Sequence, residues 1–541
     1  MIRPLAFAAA LLAAAPLSAQ STQVVAPAGA VEGTADGSVR VFRGIPYAAP
    51  PVGPLRWQPP QPAAPWTGTR KATAFGPACM QPRGGPPNIY INPPERMSED
   101  CLTLNIWAPR DAKAAPVVVW IHGGALVSGY SHEAMYDGAR LVRRGGAIVV
   151  SINYRLGVLG YLAHPGLSAE SREGVSGNYG LRDQIAALQW VKRNIAAFGG
   201  DPSNVTIAGE SAGALSVMYL LTSPPARGLF HKAIAQSAYM VTTPELKADH
   251  HGMPAAEKAG AALASAIGAG DVTALRAIPA ETLVQQAAAN RFGPWGAIDG
   301  KLLPRQLVDT WDRGEQAPVP LLAGFNAGEI RSLRVLLPPA PANAATYEKI
   351  IRERYHDLAE PFLRLYPSRD IDASMLATTR DALYGWTSQR LAIGQTAIGQ
   401  RAYLYLFDHG YPAADENGLH AFHAAEIPYV FGTANATPPY WPRVPDDLVN
   451  RRLSTAMMDY WLSFARSGDP VASGQPDWPA YGKAGNYMAF AGAPKPAAKL
   501  LPGMFALHEA SVCRRRAAGD QPWNWNTGVI SPVLAKAADC R

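Results

Sequence analysis

The sequence predicts an α/β fold: a central, mostly parallel twisted sheet flanked by helices, with large helical and loop insertions over one end. Three observations carry that expectation. Short β-branched runs alternate with amphipathic helical stretches, as a parallel sheet with crossover helices requires. A Gly-x-Ser-x-Gly joins one such run to one such helix. Gly and Pro, 50 and 49 of 541 residues, are spread through the chain rather than pooled into linkers. The chain is 48% hydrophobic and 17% charged, so it can bury a large core and is not a disordered polymer.

The first segment, "MIRPLAFAAALLAAAPLSAQS", predicts an export signal over residues 1–19. Arg3 supplies the positive start, Leu5 to Leu17 the apolar stretch, and "LSA" before Gln20 a cleavage site. That stretch is too short to span a bilayer, and no later apolar run reaches about 18 residues. The expectation is a periplasmic or secreted protein without integral membrane association, whose mature part, residues 20–541, is a single domain.

"PVVVWI" (Pro116–Ile121) reads as a buried strand and "AIVVSIN" (Ala147–Asn153) as a second. "LRDQIAALQWVKRNIAAF" (Leu181–Phe198) reads as a helix with Leu181, Ile185, Leu188 and Ile195 on one face. "DPSN" then reads as a turn, Val205–Gly209 as a strand and Ala212–Leu221 as a helix. Pro320–Phe325 and Ala402–Phe407 read as further strands. The stretches from about 225 to 315 and from 335 to 390 read mainly as helices and loops above one end of the sheet.

Chemistry concentrates at "TIAGESAGAL". A Gly-x-Ser-x-Gly alone is a weak signal, and Ser211 could be an ordinary helix cap. Its position between a strand and a helix is what the sharp turn exposing a nucleophilic serine needs. Such a serine requires a base, and the base an orienting acid. It also requires backbone donors for the developing oxyanion, and "WIHGGALVSG" offers glycines at positions 123 and 124 just after an earlier strand. "GLHAFHAAEIPYVFG" (Gly418–Gly432) is more ambiguous. His420, His423 and Glu426 could be metal ligands, a base with a bystander, or a surface turn.

Cys79, Cys101, Cys513 and Cys540 suit an exported chain. Four cysteines allow three pairings, of which the local one, with loops 79–101 and 513–540, is simplest. Each local loop would stabilise the fold by roughly 3 kcal/mol in the chain-entropy model. There is no Cys-x-x-Cys, which weakens zinc and redox readings. The net charge, 49 − 42 = +7, is mild and scattered, which argues against nucleic-acid binding.

Joined together, these blocks resemble the type B carboxylesterase/lipase family, the cholinesterase-like branch of the α/β-hydrolases. "VFRGIPYAAPPVGPLRW", "EDCLTLNIW", "GNYGLRDQIAALQWVKRNIAAFGGDPSNVTIAGESAG" and "HAAEIPYVFG" carry the resemblance across most of the chain. It implies an α/β-hydrolase fold and hydrolysis of a small-molecule carboxylic ester, with no metal or other cofactor. It implies Ser211 as nucleophile, Glu329 in "GFNAGEIRS" as acid and His423 as base. It implies an oxyanion hole from the N–H groups of Gly124, Ala125 and Ala212, and it supports a Cys79–Cys101 disulfide. Ala125 stands where many members have a third glycine, Leu126 replaces a common aromatic, Gly328 stands where an aspartate is frequent, and Ala424 replaces a frequent glycine. None of these removes a catalytic group.

The pocket is expected among loops after the strands, with Leu126, Tyr239, Phe292 and Trp295 as candidate walls. Arg291, Arg331 and Arg334 could grip a substrate carboxylate. Some bacterial members of the family cleave tricarballylate esters of fumonisin toxins, and this chain could be of that type. The alternatives are a lipase acting at an interface and a cholinesterase-like binding protein without chemistry.

Overall fold

A computed structural model of the protein describes residues 22–84, 88–537 and 540. The candidate export signal, 1–19, lies outside the described residues.

Eleven strands make one sheet. In chain order they are β1 (Thr34–Asp36), β2 (Val39–Pro46), β3 (Thr103–Pro109), β4 (Ala115–Ile121), β5 (Ile148–Ile152), β6 (Gly200–Glu210), β7 (Lys232–Gln236), β8 (Leu321–Asn326), β9 (Ala402–Phe407), β10 (Asn486–Phe490) and β11 (Pro494–Ala498). Across the sheet they run β1-β2-β3-β5-β4-β6-β7-β8-β9-β10-β11. From β5 to β10 every pairing is parallel, and antiparallel pairings close both edges.

The central strands are apolar nearly throughout because both faces are covered. Alternate side chains divide between two cores, as a period of two demands. Val117, Val119 and Ile121 pack with Leu181, Leu188, Leu215 and Met218 from the helices Tyr179–Asn194 and Ala212–Thr222. Val118 and Trp120 pack on the other face with Met457, Trp461 and Phe464 from the helix Leu448–Ser467.

Two expectations needed correction. "DPSN" does not end an element. It lies inside β6, where Gly200 pairs with Ala115 and Val205 with Val117, so residues 201–204 bulge out of register. An Asx contact, Ser203 N–H to Asp201 Oδ1 at 2.8 Å, produces the turn-like composition. The region expected to hold helices and loops contains β7, a fully buried central strand. Its polar ends are satisfied by tertiary partners: Lys232 by Asn204, and Gln236 by Trp461 and Glu426. The stretch from 335 to 390 is helical, as expected.

Both disulfides are local, Cys79–Cys101 and Cys513–Cys540, with Cα atoms 5.0 and 5.6 Å apart. No helix among the described residues is long and apolar enough to cross a membrane. The carboxyl ends of β4, β6 and β8 lead respectively into His122–Leu126, Ser211 and Glu329, and the chain after β9 returns there with His423, which gathers the candidate groups at one sheet edge.

Candidate active site

Ser211 is the single residue between β6 and the helix Ala212–Thr222. Its backbone has φ 56° and ψ −121°, a conformation that side-chain-bearing residues rarely adopt. The turn is held by Ser211 N–H donating to Gln236 O at 3.0 Å and Leu215 N–H donating to Ser211 O at 2.9 Å. It works only because the helix passes close to β4: a Cβ on Gly213 would lie 2.1 Å from Ile121 O. The strained turn lifts the Ser211 side chain out of the sheet, where it remains half-buried.

His423 comes from the loop after β9. Its Nε2 lies 2.8 Å from Ser211 Oγ. Its Nδ1 contacts Glu329 Oε2, so in the neutral ring Nδ1 carries the proton and Nε2 is free to accept one. Glu329 is fully buried, and its other oxygen accepts from Ser237 Oγ at 2.6 Å and from Asn326 N–H at 2.8 Å. This chain of contacts can take a proton from the serine and steady the imidazolium that results.

Two more buried glutamates crowd the same imidazole. Glu210 Oε1 stands 3.1 Å from His423 Nε2 but outside hydrogen-bonding alignment. Burial pushes the Glu210 carboxyl up to about 8, against the pull of His423. Glu426 accepts from Gln236 Nε2 at 2.8 Å and Asn326 Nδ2 at 2.6 Å, and burial again raises its pKa. Burial alone would lower the His423 imidazole; Glu210 and Glu329 override that and hold it at about 9.

Beside the serine runs the loop from β4. Gly124, Ala125 and Leu126 have φ of 103°, 55° and 60°, three left-handed residues in succession. Val127 and Ser128 N–H both donate to Gly124 O at 3.0 Å and close the turn. A Cβ on Gly123 would approach the Cβ of Ser211 to 3.3 Å, so the loop lies directly against Ser211. Ala212 is the first residue of its helix, where N–H groups lack intrahelical acceptors and the dipole favours negative charge.

The expected pocket residues separate. Tyr239 and Trp295 pack into one cluster with Phe325, Ile330 and Tyr384, and the Tyr384 ring lies 5.4 Å from the imidazole of His423. Leu126 is buried in the main core. Phe292 packs instead with Trp57, Val158 and Leu159. Arg291 is exposed. Arg331 donates to Gly418 O at 3.0 Å, and Arg334 pairs with Asp372.

The two histidines are equally distinct. His420 is clamped between Asp408 and Asp415, 2.9 Å from each, while His423 alone meets the serine. No group of three or more His, Cys, Asp or Glu side chains among the described residues is arranged to hold a metal ion. Sequence reasoning missed Ser237, Asn326, Gln236, Ser332 and Tyr90. Only Asn326 had a signal, as the Asn of the Gly-x-Asn that ends β8.

A model of the carboxylesterase family matches residues 20–502. Among curated proteins, the chain is 37% identical over 484 residues to fumonisin B1 esterase from Sphingopyxis macrogoltabida, covering 85% of each chain. It is 36% identical over 470 residues to para-nitrobenzyl esterase from Bacillus subtilis, covering 84% of this chain and 91% of that protein. Among solved structures, a thermophilic PNB esterase superposes with a TM-score of 0.78 at 31% identity, over 90% of this chain and 100% of the other.

Proposed function

The chain belongs to the carboxylesterase family and hydrolyses carboxylic esters; from that premise we propose that it does so through an acyl-enzyme on Ser211, with His423 as base and Glu329 as the acid that orients it. The observation that carries this reading is the continuous contact Ser211 Oγ–His423 Nε2–His423 Nδ1–Glu329 Oε2.

His423 Nε2 takes the hydroxyl proton as Ser211 Oγ attacks the ester carbonyl. The carbonyl electrons move onto oxygen, held by the N–H groups of Gly124, Ala125 and Ala212. His423 then returns the proton to the leaving alcohol. Water repeats the sequence and releases the acid. Glu329 keeps Nδ1 protonated and stabilises the charged ring while Ser237 and Asn326 hold Glu329. All chemistry lies in one α/β-hydrolase domain, residues 20–541. The two disulfides fit an exported protein, and residues 1–19 would direct it to the periplasm or beyond.

The finer substrate reading is an ester of a polycarboxylic acid of the fumonisin type. Its support is the 37% identity to fumonisin B1 esterase. Arg331 and Arg334 lend it little, since both are engaged elsewhere. The test of the mechanism is p-nitrophenyl butyrate hydrolysis by wild type and Ser211→Ala. A fall of roughly 10⁶ in kcat is expected, and near-normal turnover would overturn the assignment. Incubation with fumonisin B1 tests the substrate: without tricarballylate release, the enzyme is an esterase of another range.

A further inference from the structure

The backbone of His423 is held in an unusual way. Its N–H donates to Ser332 Oγ at 3.3 Å, and its C=O accepts from Tyr90 Oη at 2.9 Å. Both backbone groups are thus matched by side chains from other parts of the chain, although a buried peptide unit is normally matched by neighbouring backbone. The two partners also meet each other, Tyr90 Oη to Ser332 Oγ at 2.7 Å, and Ser332 Oγ lies 3.3 Å from Glu329 O. A closed ring of contacts therefore links the His423 peptide, Tyr90 and Ser332, and Ser332 also touches the peptide of Glu329.

Tyr90 does more than donate. Its ring meets the imidazole edge-on at 6.3 Å and Trp441 edge-on at 5.9 Å, and Trp441 packs on Phe422 at 4.8 Å. Burial, with Glu210, Glu329 and Glu426 nearby, keeps the phenol protonated far into the alkaline range, so it stays a donor. The residue after His423, Ala424, has φ 68°. The base thus sits beside a left-handed bend, where a free peptide would relax toward ordinary dihedrals. Tyr90 lies within the loop that the Cys79–Cys101 disulfide closes, far in sequence from both residues it ties together, Ser332 and His423.

We infer that Tyr90, with Ser332, is a positioning residue for the reaction: it clamps the His423 peptide so that the imidazole reaches Ser211 and Glu329 together. This rests on the reading of His423 as the base. Loss of the clamp lets the ring drift without removing any reacting group, so it should lower kcat while leaving KM nearly unchanged. A shift well under 1 Å in such a group costs on the order of tenfold, given about 10²-fold for 1 Å.

The test uses Tyr90→Phe, which keeps the ring and removes the hydroxyl, together with Ser332→Ala and the double variant. Rates on p-nitrophenyl butyrate are normalised to active sites titrated with an organophosphate, and Tm is recorded. The expected result is a kcat per site about tenfold lower in each single variant at unchanged KM. The double variant should fall little further, because both residues serve one clamp. The acid limb of kcat/KM should move to lower pH as the imidazole loosens from its carboxylates. A kcat per site within twofold of wild type overturns the inference, whether or not Tm falls, since the hydroxyl would then be structural. His423→Ala in the same assay separates the two readings. If it stays active, the base is misassigned; if it is dead while Tyr90→Phe is normal, only the clamp fails.

Discussion

Glu210 Oε1 and Ser211 Oγ converge on the same atom, His423 Nε2, at 3.1 and 2.8 Å. The carboxylate holds the imidazole above its ordinary pKa, and catalysis needs the ring neutral. Wild-type kcat/KM should therefore rise with pH into the alkaline range. Glu210→Gln removes the charge at nearly constant volume and should move that acid limb down by on the order of one pH unit. An unmoved limb would show that Glu210 is already neutral when the enzyme works. The same group affects stability. Its folded pKa, about 8, is raised above the unfolded value, so its contribution is present below that unfolded value and is lost as pH climbs through 8. Denaturant titrations should show the Gln variant gaining on wild type between pH 5 and 9.

Ser237 anchors Glu329. Its hydroxyl donates to Glu329 Oε1 from a backbone at φ 50°, and its own N–H donates to Gly324 O at 2.8 Å. Ser237→Ala leaves that oxygen with Asn326 N–H alone. A hydrogen bond to a charged group is worth about 1.5–3 kcal/mol, so kcat should fall between roughly tenfold and a hundredfold. Steady-state kinetics on a soluble ester would check this, and unchanged kcat would mean that Asn326 suffices.

The histidines predict an asymmetry. His423→Ala should abolish hydrolysis, whereas His420→Ala should keep most of it. His420 is instead a stability group: Asp408 and Asp415 raise its pKa above the unfolded 6.5. Its contribution is full below that value and fades as pH rises through the folded pKa. Thermal melts at pH 5 and pH 9 should show the larger penalty for His420→Ala at pH 5. Equal loss of activity in the two variants would reopen their assignment.

In the loop proposed to form the oxyanion hole, Ala125 holds φ 55°, and its proposed role is through the backbone N–H rather than the side chain. Ala125→Gly should therefore preserve activity and add stability of about 1 kcal/mol by relieving that strain. Gly124→Ala should do the reverse, because its Cβ would lie 2.1 Å from Ser128 O. Paired melts and assays of the two variants would check the contrast. An inactive Ala125→Gly would mean that the methyl itself shapes the pocket.

The three side chains that meet, Ser211, His423 and Glu329, could be picked from the sequence because each sits in a short local pattern: a strand-to-helix elbow for Ser211, a strand end for Glu329, and a block around His423. Their support could not. Ser237, Ser332 and Tyr90 meet Glu329, His423 and Ser332 across 91 or more residues, and nothing local distinguishes them from any other serine or tyrosine. β7 was hidden for a related reason. "KAIAQ" is too short for periodicity, and its Lys and Gln look like surface until tertiary partners are known. "DPSN" misled because turn chemistry reports local bending, not whether a strand resumes afterwards.

The Ser211–His423 contact joins residues 212 positions apart, from the turn after β6 to the chain after β9, with β7 and β8 between those strands. Such a contact closes only after the intervening strands have found their register, and non-local parallel pairing is the slow part of folding. Regained esterase activity is therefore a late clock. During refolding it should trail the recovery of helical circular dichroism, so the enzyme itself signals when its assembly is complete.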